Sequence, residues 1–178
     1  MEDSKSVVVE LTEVEANYAG AIALCRETYH LMAARPREPD MGIVGVEQPP
    51  YSGRVRLMHA ELAVAKYLDV YWMAGAGWLG GFVQVRVSDY SGRLLVQLRD
   101  PDCTALVLVT GWFPRLVLRG WITGQEGRQD RFAVPGGHPR YAVPQEELLP
   151  MTELRRTVDR LRYDEAHHEA HGEPRQPW

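Results

Sequence analysis

In the stretch GGFVQVRVSDYSGRLLV, residues 80–96, Gln84 and Arg86 occupy alternate positions among valines. A strand places successive side chains on opposite faces, so Val83, Val85 and Val87 share one side and the glutamine and arginine share the other. An amide and a guanidinium together suit two purposes: the wet face of an antiparallel sheet, or the remains of a site that held a metal ion and a phosphate. The same alternation recurs downstream. Leu94, Val96 and Leu98 oppose Leu95, Gln97 and Arg99, while Leu116 and Leu118 oppose Arg115, Val117 and Arg119. Registered on one side, Gln84, Arg86, Gln97, Arg99, Arg115 and Arg119 would line a cationic, hydrogen-bonding surface suited to phosphate. Antiparallel sheets commonly keep one face in water, and the pattern alone favours that simpler reading.

The elements that must position these residues follow from periodicity and turn chemistry. VVVEL is a short strand, and TEVE after it has the form of a capping box between Thr12 and Glu15. Val14, Tyr18, Ile22, Cys25, Tyr29 and Met32 then recur at three- and four-residue steps and predict a helix with one apolar stripe. Prolines 36, 39, 49 and 50 with Gly42 and Gly45 make an irregular connector. From Arg54 the chain returns to helical spacing through Val55, Met58, Leu62, Ala65 and Leu68, with Glu61 inside that helix. After MAGAGWLGG, four segments with period two (FVQVRV, RLLVQLR, TALVLVTGWF and RLVLRGWIT) are joined by short turns and predict an antiparallel β-meander. GQEGRQD reads as a loop, RFAV and RYAVP as short strands, and PQEELLPMTELRRTVDRLRYDEA as a closing helix perturbed at Pro150. The fold class is α+β: an antiparallel-rich mixed sheet covered by the N-terminal helices, with a C-terminal helix. Residues 1–166 form a single globular domain on this reading, and 167–178 a disordered tail.

Composition narrows the function classes. A chain of 178 residues with 45% hydrophobic and 25% charged content is that of a one-domain globule. No apolar run approaches a membrane span, and MEDSKS lacks the form of a signal peptide, so no membrane contact and a cytoplasmic location are the expectations. Cys25 and Cys103 suit neither a disulfide framework nor a thiolate zinc site and read as buried thiols. The net charge of −4 is unevenly spread: Arg54 to Arg140 holds 11 Lys/Arg against 7 Asp/Glu, and the remainder 9 against 17. The basic centre permits a phosphate-facing surface, though it is weaker than that of a dedicated DNA-binding domain.

The strings HAELAVAKYLDVYW, QVR, LVLVTGW, RGWI and VPGGHPRYAVP, in this order, resemble a group of phage-associated, uncharacterised proteins with a PD-(D/E)XK nuclease-like fold. The resemblance runs from about the first capped helix to about Pro150. It implies a helix carrying a glutamate, matched by Glu61, and a strand carrying an (E/Q)-x-K step, matched by Gln84 and Arg86 as the catalytic set. Glu61, Gln84 and a relocated Asp89 would be the metal ligands, with Asp69 a further candidate, and Mg²⁺ or Mn²⁺ the cofactor for phosphodiester hydrolysis of nucleic acid, DNA in the first place. Arg86, Arg99, Arg115 and Arg119 would contact phosphates, and the setting would be the cytoplasm of a bacterial host. Two departures stand out. AGAGWLGGF contains no acid where the family's strand aspartate is expected, and Arg86 replaces a lysine. An arginine grips phosphate well but orients a nucleophilic water poorly. The departures imply a weakly bound metal, and the function the resemblance implies is a DNA-contacting nuclease-like protein whose phosphodiester hydrolysis is ancestral or residual; the alternative is a non-catalytic module on the same scaffold that binds nucleic acid or another protein.

Other residues carry less. His167, His168 and His171 have zinc-like spacing without a clear fourth ligand, and PGGHP lacks the helix that a phosphate loop needs. Five tryptophans are available to stack bases, but Trp112 and Trp121 sit in apolar strand contexts that predict sheet packing. No motif supports a nucleophile pair of Cys103 with His59.

Overall fold

Thr12 accepts from the Glu15 amide at 3.3 Å, and Glu15 Oε2 accepts from the Thr12 amide at 2.7 Å, so the first long helix starts at the capping box read from the sequence. The computed structural model describes residues 5–32, 43–44, 50–72, 79–88, 92–135 and 140–171, with backbone only at 27, 29–32, 43–44, 50–51 and 164–171. The order is β1 (Val7–Glu10), α1 (Glu13–Met32), β2 (Ile43–Val44), α2 (Pro50–Leu68), β3 (Val83–Ser88), β4 (Leu94–Gln97), β5 (Ala105–Trp112) and β6 (Arg115–Thr123). Then come α3 (Gly124–Gly127), β7 (Ala133–Val134), β8 (Arg140–Val143) and α4 (Met151–His171). Short 3₁₀ turns at Asp130–Phe132 and Gln145–Glu147 flank β7 and β8. The mixed α+β class matches the sequence reading.

The strands do not form one meander. β1, β6, β5, β3 and β2 make a five-stranded mixed sheet in that order, in which β3 runs parallel to both β5 and β2, while β4, β8 and β7 make a separate antiparallel sheet. Only the last expected hairpin, β5 to β6, survives, closed by Phe113 and Pro114 across a cis peptide bond. Short connections favour antiparallel neighbours, but they do not oblige consecutive strands to pair. β4 instead crosses to the second sheet and leaves the place beside β3 to β5.

Both faces of the mixed sheet are covered as a result. Val83, Val85, Val87, Val107, Val109, Leu116 and Leu118 pack with Ala60, Ala63, Val64 and Leu68 of α2 and with Met151, Leu154 and Val158 of α4. On the opposite face Leu106, Leu108 and Ile122 pack with Leu94, Val96 and Val143 of the small sheet and with Phe132 and Leu148. This makes three layers: helices, five strands, three strands. All six residues of β3 are buried, polar ones included.

The α1 stripe is not the one read from periodicity. Val14, Tyr18 and Cys25 are exposed, whereas Ala16, Ala19 and Ala23 are buried, with Ala19 and Ala23 against Met58 of α2. Small side chains let the two helix backbones approach, and this contact outranks the larger residues on the outer face. Cys103 lies in an exposed turn, so both thiols read as buried are exposed. GQEGRQD, read as a loop, begins with the helical turn α3, capped by a second box between Thr123 and Glu126. α4 runs to His171, through the start of the expected tail, and residues 172–178 lie outside the described residues.

Backbone approaches β6 closely at Gly120, where φ is 145° and the Leu149 carbonyl crosses the strand, exchanging hydrogen bonds with Trp121. A Cβ at Gly120 would lie 2.7 Å from Leu149 O and 2.8 Å from Leu148 Cβ. Gly120→Ala is expected to lower stability by about 1–3 kcal/mol through backbone strain and overlap, measured as a fall in the urea midpoint at unchanged slope.

Candidate functional site

Arg86 points from β3 into the gap between the two sheets, where burial leaves it 4% exposed. Its Nη2 donates to Gln84 Oε1 at 3.0 Å and to Asp100 Oδ1 at 2.9 Å. Asp100 sits in the turn after β4 and is itself buried; its second oxygen, Oδ2, accepts from the Gln97 amide at 2.9 Å. The Asp100 main-chain carbonyl accepts from Arg128, which also pairs with Asp102. Arg86 and Asp100 thus form an ion pair that bridges the sheets, with Gln84 as a further acceptor. Burial pulls the Arg86 pKa down and the Asp100 carboxylate opposes that shift; a guanidinium stays charged under these conditions. Arg86 Nε and Thr104 Oγ1 are buried without a hydrogen-bond partner among the described residues.

Glu61 is also buried, but elsewhere. It belongs to α2, and its Oε2 accepts from Trp72 Nε1 at 3.2 Å while Oε1 lies 3.9 Å from Arg26 Nη1 of α1. Tyr18 meets the Trp72 ring edge-on with centroids 5.8 Å apart. Burial raises the Glu61 pKa, with Arg26 and the Trp72 hydrogen bond opposing the rise. α2 covers the Val83 and Val85 face of the mixed sheet, and Gln84 and Arg86 open onto the other face. The sheet therefore separates Glu61 from Gln84, and the shared pocket implied by the resemblance is not formed.

The remaining candidates are dispersed as well. Asp89 lies outside the described residues, and Asp69, at the end of α2, pairs with Arg162 of α4. Arg99 is exposed in the turn after β4 and its Nε donates to Gln97 Oε1 at 2.9 Å. Arg115 is exposed opposite Glu10 of β1, and Arg119 Nε donates to Thr110 Oγ1 at 2.7 Å. The small sheet covers the Gln84 and Arg86 end of the presumed cationic surface, leaving Arg115 and Arg119 beyond it and Arg99 on a different sheet's turn. The reason is the exit of β4: the surface required β3, β4 and β6 in one sheet. The histidines 167, 168 and 171 fall on α4, their side chains outside the described residues. Trp121 is half-buried, donating to Pro150 O, but Trp112 is 48% exposed, contrary to the expected packing.

Glu61 and Asp100 do not gather round one ion. The carboxylates of Glu61 and Asp100 face different layers, and both Asp100 oxygens are occupied by Arg86 and the Gln97 amide. Among the described residues no group of three His, Cys, Asp or Glu is placed to hold a metal ion. Nor is any helix among them long and apolar enough to cross a membrane. Sequence reasoning missed Asp100 altogether. Its only signal was its place beside Pro101 in RDPD, which reads as turn chemistry.

A different site emerges from the exposed residues. α1, α2 and the β5–β6 turn enclose a groove of about 660 Å³ lined by Glu13, Ala16, Gly20, Leu24, Val55, His59 and Phe113, among others. His59 Nε2 lies 3.1 Å from the Ala16 carbonyl, which only accepts, so Nε2 carries the proton. Burial lowers the His59 pKa; the ring is neutral at pH 7 and its Nδ1 is a bare acceptor. Beside the groove, Arg56 braces the turn. It donates from Nε to Gly111 O at 3.1 Å and from Nη2 to Ser88 O at 3.0 Å, and stacks over Trp112 at 4.4 Å.

Comparisons with protein-family models, with curated proteins and with solved structures give no match for this chain.

Two outcomes follow from the buried charges. Arg86→Met or Asp100→Leu alone is expected to cost about 3–5 kcal/mol by stranding the other charge, and the double substitution to recover most of it; denaturant unfolding of the four proteins measures the coupling. For Glu61, a folded pKa above the unfolded one means that the folded state binds more protons, so this group's contribution falls as pH rises from the ordinary carboxylate range through the raised value. Glu61→Gln is expected to flatten the decline of stability between pH 4 and pH 8 without loss at pH 7, and a curve identical to the parent's would refute the assignment.

Proposed function

We propose that this protein is a non-catalytic, protein-binding module on a scaffold derived from the PD-(D/E)XK-like fold. The strings that resemble that family fall on α2, β3, β5, β6 and the β7–β8 segment, which supports the scaffold. The observation that carries the loss of catalysis is the placement of Gln84 and Arg86. Both are buried, bonded to each other and, through Asp100, consumed in tying two sheets together, with Glu61 on the far side of the sheet. A hydrolytic site needs open oxygen ligands around a reachable phosphate, and this cluster offers neither.

Protein is the favoured partner because Leu24 of α1 and Phe113 of the hairpin are exposed apolar residues lining one groove. Trp112, also exposed, stands next to Phe113 on a turn braced by Arg56. Aromatic residues held rigid beside an open groove are the composition of binding hot spots. A second reading, contact with nucleic-acid phosphates, is favoured by the exposure of Arg99 and Arg115 and by Arg119 beyond the small sheet. Two or three phosphate contacts on a chain of net charge −4 support only modest affinity.

Purified protein incubated with single- and double-stranded DNA and RNA in Mg²⁺ or Mn²⁺ is expected to leave every substrate intact. Cleavage abolished by Glu61→Ala and by Arg86→Ala, with folding retained, would overturn the non-catalytic reading. Filter binding across salt concentrations separates the second reading: a log-log slope near zero excludes phosphate contact, and about −0.9 per neutralised phosphate on duplex DNA would establish it.

A further inference from the structure

The trough beside α1 has properties that its neighbours do not explain. Its floor is Ala16 and Gly20, followed along α1 by Leu24, and its walls are Val55 and His59 of α2 and Phe113 of the hairpin. Gly20 sits in the middle of a 20-residue helix, where glycine is the least favourable residue after proline. Packing within the chain does not call for it: a Cβ at Gly20 would meet nothing within 4 Å. What the missing side chain does is deepen the trough. Leu24 is 53% exposed and Phe113 39% exposed, so apolar surface lies open to water on both sides of it.

The trough is charged at one end. From Glu13 to Leu24 it follows α1 for about 16 Å at 1.5 Å per residue, the length of three helical turns. Glu13 is the one charged residue of the lining, and it has no ion-pair partner among the described residues, whereas its neighbour Glu15 is held by Lys66 at 2.8 Å. His59, neutral, presents a bare nitrogen acceptor. An occupant therefore needs an apolar face three turns long, a cation at the Glu13 end and a donor near His59. An amphipathic helix supplies the first through anchors at i, i+3 or i+4, and i+7, and a lysine or arginine on its rim supplies the second.

We propose that the trough between α1 and α2 is the docking site for an amphipathic helix of a partner protein, oriented with a lysine or arginine over Glu13. The assignment rests on the reading of the chain as a protein-binding module and specifies the surface and the chemistry of the partner. Gly20 is there to admit the partner's backbone, Leu24 and Phe113 to grip its apolar face, and Glu13 to set its direction.

A library of 16-residue peptides displayed on particles, selected against the full-length chain, tests it. Selected peptides are expected to carry helically spaced leucine or aromatic residues with a lysine or arginine at one end. Two variants locate the binding. Gly20→Leu fills the trough while improving helix propensity, so folding is retained, and is expected to weaken the selected peptides at least about tenfold, equivalent to about 1.4 kcal/mol. Glu13→Lys is expected to weaken basic peptides several-fold and to remove the salt dependence of their binding. Recovery of no peptide, selection of acidic peptides, or affinities unchanged by Gly20→Leu would overturn the docking site, and so would light scattering that shows a dimer of the parent chain dissociated by Gly20→Leu, since a second copy would then fill the trough. Nuclease activity in the metal assay would remove the non-catalytic reading while leaving peptide binding at the trough intact, so the two failures are distinguishable.

Discussion

An arginine on an inner strand of a sheet covered on both faces must meet its counterion inside the protein. Arg86 does so through Asp100, a residue brought in from the turn of another sheet, and the layering of the molecule depends on that meeting. Without the pair, a guanidinium would be stranded between Leu106, Leu108 and the small sheet, at a cost that packing there cannot offset. With it, the second sheet is held at one register over the first, and Asp100 reinforces its own turn by accepting from the Gln97 amide. Arg128 extends the network by binding the Asp100 carbonyl and Asp102.

Glu61 repeats the theme on the opposite side. It is a buried carboxylate whose partners, Trp72 and Arg26, come from segments on either side of α2 in the chain. The two buried acidic groups, Glu61 and Asp100, lie in different layers, each answered locally. Carboxylates that converge repel one another and call for a cation; here each has been given an internal donor.

The outer surface is organised by a different principle. α1 packs on α2 through alanines, which brings the helices close and turns the larger residues of α1 outward. Phe113, at the hairpin turn, walls one side of the trough that remains, and Arg56 holds that turn from α2. Close packing inside and an open apolar trough outside are thus two consequences of the same run of small residues on α1.

What the sequence determined by itself is local. The Thr12–Glu15 capping box, the helices around Tyr18 and Glu61, the alternation in β3, β5 and β6 and the α+β class are all written in nearest-neighbour chemistry and periodicity, and all are present. What only the tertiary structure decided is non-local. Period two says that Gln84 and Arg86 share a face, but it is equally consistent with that face meeting water or a second sheet. Likewise, turn residues between β3 and β4 do not say whether those strands pair or part. Asp100 was illegible because its role depends on a contact fourteen residues away across two sheets, and the exposure of Cys25 depends on which stripe of α1 the alanines bury. Backbone geometry acts over a few residues and is carried by the sequence directly; burial is set by what arrives from elsewhere in the chain, and only the assembled fold contains that information.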